Sequence, residues 1–144
     1  MKIKRGEVKI RKAEIEDKEQ ILKLVKRLYS RSAPKNVEAW KKYYGKLKNQ
    51  ALIAEVNKKI IAYLAYIPYR DALYIADLYV TSKYRRKGIA TKLIKTVEKI
   101  KKKLKKSYLK VNVRKKDLRA RKFYIKLGFK NYKPKFKKSL KLKK

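Results

Sequence analysis

The sequence predicts an α/β (α+β) fold: a mixed, mostly antiparallel sheet flanked by helices, in the order β-α-α-β-β-β-α-β-α-β(-β). Three observations predict it. Residues 51–80 hold three apolar runs separated by short polar connections, which reads as an antiparallel meander. Residues 89–104 then change period, with Ile89, Leu93, Val97, Ile100 and Leu104 recurring every three or four positions as one helix face. Alternation returns over 107–113, where Leu109, Val111 and Val113 share a strand face.

Taken in order, residues 8–13 alternate as a first strand, with Val8 and Ile10 on one face. Glu14-Ile15-Glu16-Asp17 opens a helix, and acids suit the positive end of its dipole. Ile21, Leu24, Val25, Leu28 and Tyr29 form its apolar stripe, which stops near residues 30–32. Pro34 is allowed at the first turn of a second helix, with Val37, Trp40, Tyr44 and Leu47 on one face. Asn57-Lys58-Lys59 joins the first two runs of the meander, and Pro68-Tyr69-Arg70-Asp71 the next two. The strand over 73–80 places Tyr74, Ala76, Leu78 and Val80 on one face and Ile75, Asp77 and Tyr79 on the other. Asp117 is an N-cap for a last helix. Ala120, Phe123, Tyr124 and Leu127 are that helix's stripe, and Gly128 is its left-handed stop. The Lys-rich remainder carries Phe136, Leu140 and Leu142 at strand spacing, read as a final hairpin or a partly loose segment. Without a repeat or linker, residues 1–144 read as one domain with a Lys-rich C-terminal segment over 130–144.

Composition excludes several chemistries. The absence of cysteine removes disulfides and thiolate metal sites. The absence of histidine removes the usual zinc sites and every Ser-His or Cys-His nucleophile, so no metal is expected. No uninterrupted apolar run marks a signal peptide or a membrane span, and a cytoplasmic protein is expected. Lysine and arginine number 47 against 11 acids, a formal charge of +36. Such a field draws in polyanions.

Residues 73–106 run strand, basic loop, helix. The first turn of a helix has backbone N–H groups without partners, and the dipole adds positive charge there, so this arrangement holds anions. Gly88 has no Cβ and lets a phosphate approach the backbone. Neither a dinucleotide fingerprint nor a P-loop is present.

Arg85-Arg86-Lys87-Gly88-Ile89-Ala90 fits the pattern [QR]-x-x-G-x-[GA] after an apolar-Val strand end. It resembles the acetyl-CoA motif of the GNAT superfamily of N-acetyltransferases. The segment from Asp117-Leu118-Arg119-Ala120 through Phe123-Tyr124 to Gly128-Phe129 resembles that family's N-x-x-A-x-x-[FL]-Y-x-x-x-G-F motif. With the order of strands and helices, the likeness runs from about residue 8 to residue 136.

The resemblance implies acetyl-CoA as donor and an amine as acceptor. Its diphosphate would lie on the backbone of residues 86–91, that is Arg86, Lys87, Gly88, Ile89, Ala90 and Thr91, beside Arg85. Leu78, Tyr79 and Val80 would pair with the pantetheine arm as an added strand. Tyr124 matches the family's general acid toward the sulfur, and its other reading is a core tyrosine. Asp117 stands where the family has Asn, as cap and as cofactor contact. The helical pair at the N-terminus would cover the acceptor cleft, with Trp40, Tyr43 and Tyr44 as lining or as core aromatics.

The base departs from familiar members. Where spermidine/spermine acetyltransferases carry Glu-Asp, this chain reads Ala76-Asp77. Where ribosomal-protein N-terminal acetyltransferases place a glutamate, it has Asn112. Asp77 is left to take the amine proton, to bind its charge, or to pair with a lysine. The leading reading is transfer to a protein α-amine or lysine in a ternary complex, a polycation being repelled by the field. The second is a nucleic-acid-binding protein on this scaffold with weak or no catalysis. Nucleic acid or ribosome contacts are expected along the lysines of residues 95–106 and 130–144, with Tyr132 and Phe136 stacking on bases.

Overall fold

The computed structural model describes residues 7–28, 50–132 and 139–144. The second helix expected after Pro34, with Trp40, Tyr43 and Tyr44, lies outside them, as does Phe136. Seven strands form one sheet in the hydrogen-bonded order β1-β2-β3-β4-β5-β7-β6. They are β1 Lys9–Lys12, β2 Ala51–Val56, β3 Lys59–Tyr69, β4 Ala72–Val80, β5 Tyr108–Arg114, β6 Lys130–Asn131 and β7 Ser139–Lys143. The helices are α1 Lys18–Leu28, α2 Ile89–Lys103 and α3 Leu118–Lys126. β4 and β5 pair in parallel, whereas β1–β2, β2–β3, β5–β7 and β6–β7 pair antiparallel. The expected α/β architecture, a mostly antiparallel sheet flanked by helices, is the one observed.

By contacts the chain divides into two compact units, through both of which β3, β4 and α2 run. The first comprises Met1–Tyr66 and Asp77–Ile94. Its core packs Ile21, Leu22 and Leu24 of α1 on Ala51, Ile53, Ile60, Tyr63 and Ala65, with Tyr79 against the cluster. A polar clasp fixes the entry to α1. Arg11 donates to both oxygens of Asp17, at 2.8 and 2.9 Å, and reaches Glu55 at 3.3 Å. This bidentate pair holds the Asp17 carboxyl below its ordinary range and raises the Arg11 guanidinium. Asp17 also accepts from the Glu14 N–H at 2.7 Å, supplying the reach-back half of a cap. Gln20 accepts from the Ile60 N–H at 3.0 Å and anchors α1 to the start of β3. Asn57 and Lys58 turn β2 into β3 with φ of 50° and 65°, the two left-handed residues of a type I′ hairpin.

The second unit comprises Ile67–Ala76 and Lys95–Lys144. Leu109, Val111, Val113 and Leu142 are buried along its strands. Asp117 caps α3 as expected, accepting from the Ala120 N–H at 3.0 Å. Gly128 stops that helix at φ 96°, donating to the Ile125 carbonyl at 2.9 Å.

Three local expectations change. β3 continues through Pro68 and Tyr69, so the second connection shrinks to Arg70-Asp71, with Arg70 at φ 53°. Proline lacks only the N–H, and a strand accepts it where that donor is unused. α2 ends at Lys103, and Leu104 is 47 % exposed instead of lying on the buried stripe. Lys105 turns left-handed at φ 56° and the Lys106 N–H closes on the Lys101 carbonyl, which carries Leu104 off the apolar face. In α3 only Tyr124 of the expected stripe is fully buried, because the helix is short and Ala120, Phe123 and Leu127 stay at its margin. Of the two readings of the Lys-rich C-terminal segment, its described residues bear out the strand pairing: β6 and β7 pair antiparallel, β7 lies between β5 and β6, and Leu142 is fully buried.

Candidate active site

Two parts of the chain carry the candidate site residues, one in each unit. In the first unit β4 ends at Val80, and the Thr81 N–H donates to the Ile61 carbonyl at 2.9 Å. One 3-10 turn follows at Ser82–Tyr84, and the loop then climbs into α2. Arg86 and Gly88 are left-handed, with φ of 61° and 80°. Left-handed residues inside a short loop turn backbone N–H groups toward a common concavity, the geometry that binds anions. The helix ladder opens with the Lys92 N–H on the Gly88 carbonyl at 3.0 Å. The N–H groups of Ile89, Ala90 and Thr91 therefore precede it, as first-turn donors. No acid stands in the first turn of α2. A Cβ built at Gly88 would meet nothing within 4 Å. Glycine is required there by φ and not by packing, and the space before it is open. These features fit a diphosphate.

Arg85 does something the sequence did not show. Its Nε donates to the Val80 carbonyl at 3.0 Å, and its guanidinium lies 5.6 Å from the centre of the Tyr79 ring. The side chain braces the loop against the end of β4, while Arg86, Lys87 and Gly88 stay exposed. The structure thus brings Tyr79, Val80 and Arg85 together. Asp77 and Leu78 precede them on β4, both half-buried. A cavity of about 490 Å³ adjoins this end of the strand, between α1, the start of β3 and the 3-10 turn. Lys23, Arg27, Lys59 and Lys83 line it, together with Gln20 and Tyr79. Sequence reading missed this lining, since its members are separate in the chain and lysine is too common here to mark a site.

In the second unit, α3 carries Asp117 and Tyr124. Tyr124 is 6 % exposed and meets Phe123 and Phe129 edge-on, at 5.0 and 5.1 Å between ring centres. Burial, and after it the Asp117 carboxylate, push the phenol well above its ordinary pKa. Tyr124 therefore keeps its proton near neutral pH. Asn112 is exposed on β5. No cluster of histidine, cysteine or acidic residues able to hold a metal occurs among the described residues. No helix among them is long and apolar enough to cross a membrane.

The fold is shared with solved acetyltransferases. The PaiA N-acetyltransferase from Thermoplasma acidophilum, in complex with coenzyme A, is 24% identical with a TM-score of 0.79, over 95% of this chain and 98% of that one. The NatC complex bound to Gag peptide and CoA gives 22% identity and a TM-score of 0.76, over 95% and 97%. The ribosomal-protein-S18-alanine N-acetyltransferase from Escherichia coli gives 17% and 0.74, over 94% and 92%. No curated protein matches the sequence. The sequence profile described as Acetyltransferase (GNAT) family matches residues 18–129, which take in both the loop before α2 and the whole of α3. The chain belongs to the GNAT acetyltransferases, enzymes that transfer acetyl from acetyl-CoA to nitrogen.

Proposed function

We propose that the acceptor is a protein or peptide amine, an N-terminal α-amine or a lysine, acetylated directly in a ternary complex. The cavity beside Tyr79 carries this reading: four of its lining residues are cations and no acid is among them. A polyamine would face like charge at each end, whereas a peptide brings one amine with neutral or acidic residues behind it. The solved NatC complex holds a peptide, which supports the same class of acceptor.

The backbone N–H groups of Arg86 to Thr91 would hold the diphosphate, and Leu78 to Val80 would align the arm that ends in the thioester. A new N–C bond forms at the thioester carbon as its C–S bond breaks. The amine proton passes to Asp77, directly or through water. Asp77 is the only acid between Asp71 and Glu98. An α-amine, with a pKa of about 8, needs little help, since part of it is already neutral near pH 7. The neutral Tyr124 hydroxyl donates to the sulfur as negative charge grows on it. Release of free thiol from acetyl-CoA is the test, with peptides bearing acidic or basic residues after a free N-terminus, and with spermidine. Acidic peptides are expected to turn over fastest. Faster turnover of spermidine would overturn the reading.

A further inference from the structure

Beyond its first turn, helix α2 carries a face on which no candidate site residue stands. Those at its start end with Thr91. From Lys95 onward the apolar residues of the helix are Val97, which is buried, and Ile100, which is half-buried. Lys95, Lys99 and Lys102 follow at steps of four and three, so they form one row on the side away from Val97. Lys103 stands beside the row, four residues after Lys99. All four lysines are exposed.

The other charged side chains here are engaged within the second unit. Glu98, the one acid of α2, pairs with Lys144 at 2.7 Å. Lys101 donates to the Ser107 carbonyl at 3.4 Å, and Lys106 to the Arg70 carbonyl at 2.7 Å. Lys95, Lys99, Lys102 and Lys103 form no ion pair among the described residues. Like charges three and four residues apart on a helix repel and destabilise it. In α1 the chain sets Glu19 four residues before Lys23, the favourable order, whereas no acid interrupts the α2 row. The row therefore holds a strip of uncompensated positive charge, with neither rings for a base nor apolar side chains for a lipid tail.

Its length selects a partner. The eight residues from Lys95 to Lys103 rise about 12 Å along the helix. The major groove of B-form DNA is about 12 Å wide, with phosphates along both rims. A helix lying across that groove sets one end of the row on each rim. The major groove of duplex RNA is narrow, a single strand fixes no distance between two rims, and a bilayer spreads its charge over a fluid plane.

We propose that the lysine row of α2 is a docking surface for duplex DNA, which it bridges across the major groove without reading sequence. Lys95 takes a phosphate on one rim, Lys102 and Lys103 take phosphates on the other, and Lys99 lies over the groove between them.

The test uses the full chain and fluorescence anisotropy. The probe is a labelled DNA duplex of about two helical turns, against an RNA duplex and a single strand of equal length, with salt varied from about 50 to about 200 mM. The DNA duplex is expected to bind tightest at each salt. Lys95→Gln, Lys102→Gln and Lys103→Gln together are expected to flatten the slope of log K against log salt by about 2.7, the share of three phosphates. Lys99→Gln is expected to flatten it by less than the share of one, about 0.9. Lys9→Gln, Lys12→Gln and Lys26→Gln together remove the same charge from exposed positions of the first unit, and are expected to leave the slope nearly unchanged. The α2 triple variant should melt no lower than wild type, because like-charge repulsion is relieved, and should acetylate peptides as before. Equal or tighter binding of RNA duplex or single strand, an equal effect of the first-unit variant, or a lowered melting temperature of the α2 variant would each overturn the proposal. So would sedimentation with phosphatidylserine vesicles that the α2 substitutions abolish, or displacement of the duplex by polyglutamate as readily as by unlabelled duplex.

Discussion

Helices α2 and α3 both follow a loop at the end of a strand, and both lie in a family motif, yet they begin in opposite ways. α3 satisfies its own first turn: Asp117 accepts from the Ala120 N–H. The 3-10 turn Ile15–Asp17 that leads into α1 does likewise, with the Asp17 carboxylate on the Glu14 N–H and clasped by Arg11. α2 has Gly88 before it, no acid in its first turn, and open space in front of Gly88. A helix that caps itself has used its electrostatic end for stability. One that does not cap itself leaves that end open to water or to an anionic ligand. In the proposed function the difference would also divide the labour, the α2 backbone holding the diphosphate and the Tyr124 side chain of α3 serving the leaving group.

The sharpest way to break this comparison is to fill the uncapped end. Gly88→Glu is expected to abolish acetyl-CoA binding in calorimetry, since the carboxylate occupies the anion site and repels the diphosphate. Gly88→Ala separates space from strain. It meets no neighbour and adds only the cost of φ 80°, on the order of 1–3 kcal/mol, so it should melt earlier while retaining measurable affinity. Equal binding by wild type and the Glu variant would place the anion site elsewhere.

The next largest effect is expected on α3 and on rate alone. Tyr124→Phe keeps the ring and both edge contacts and loses one donor. Turnover should fall roughly 10²- to 10⁴-fold with acetyl-CoA affinity unchanged. An undiminished turnover number would make Tyr124 a packing residue.

Removing the α3 cap should act on stability. Asp117→Ala is expected to cost about 1 kcal/mol in denaturant unfolding, and Asp117→Asn much less, because asparagine also caps. The Ala variant should also bring the Tyr124 phenol closer to its ordinary pKa, because the neighbouring carboxylate is gone. No loss in Asp117→Ala, or an equal loss in Asp117→Asn, would show that the carboxylate's capping bond does not stabilise α3.

The smallest effect sharpens the same point at α1. The Asp17 carboxyl sits below its ordinary value, so its contribution is present above the unfolded pKa of about 3.9 and fades as pH falls through the folded one. The difference in melting temperature between wild type and Asp17→Asn should therefore be constant near neutrality and shrink only in that acidic range. A difference that shrinks near pH 6 would assign the stabilisation to another group.

The sequence by itself determined what depends on near neighbours in the chain. Periodicity placed strands β1 to β5 and helices α1 to α3 within a few residues, because side-chain alternation and the helical repeat are local geometry. The Asp117 cap and the Gly128 stop were equally legible, since each answers a backbone demand within one turn. It failed where a distant partner decides. Nothing local told Leu104 from Ile100, until Lys105 turned the chain away. Nothing local set Arg85 on the Val80 carbonyl, or collected Lys23, Lys59 and Lys83 around one cavity. The tertiary structure alone seated β7 between β5 and β6, because strand pairing joins residues far apart and is chosen by what the whole face buries, here Leu142. Sheet register is a non-local contact, and no window along the chain contains it.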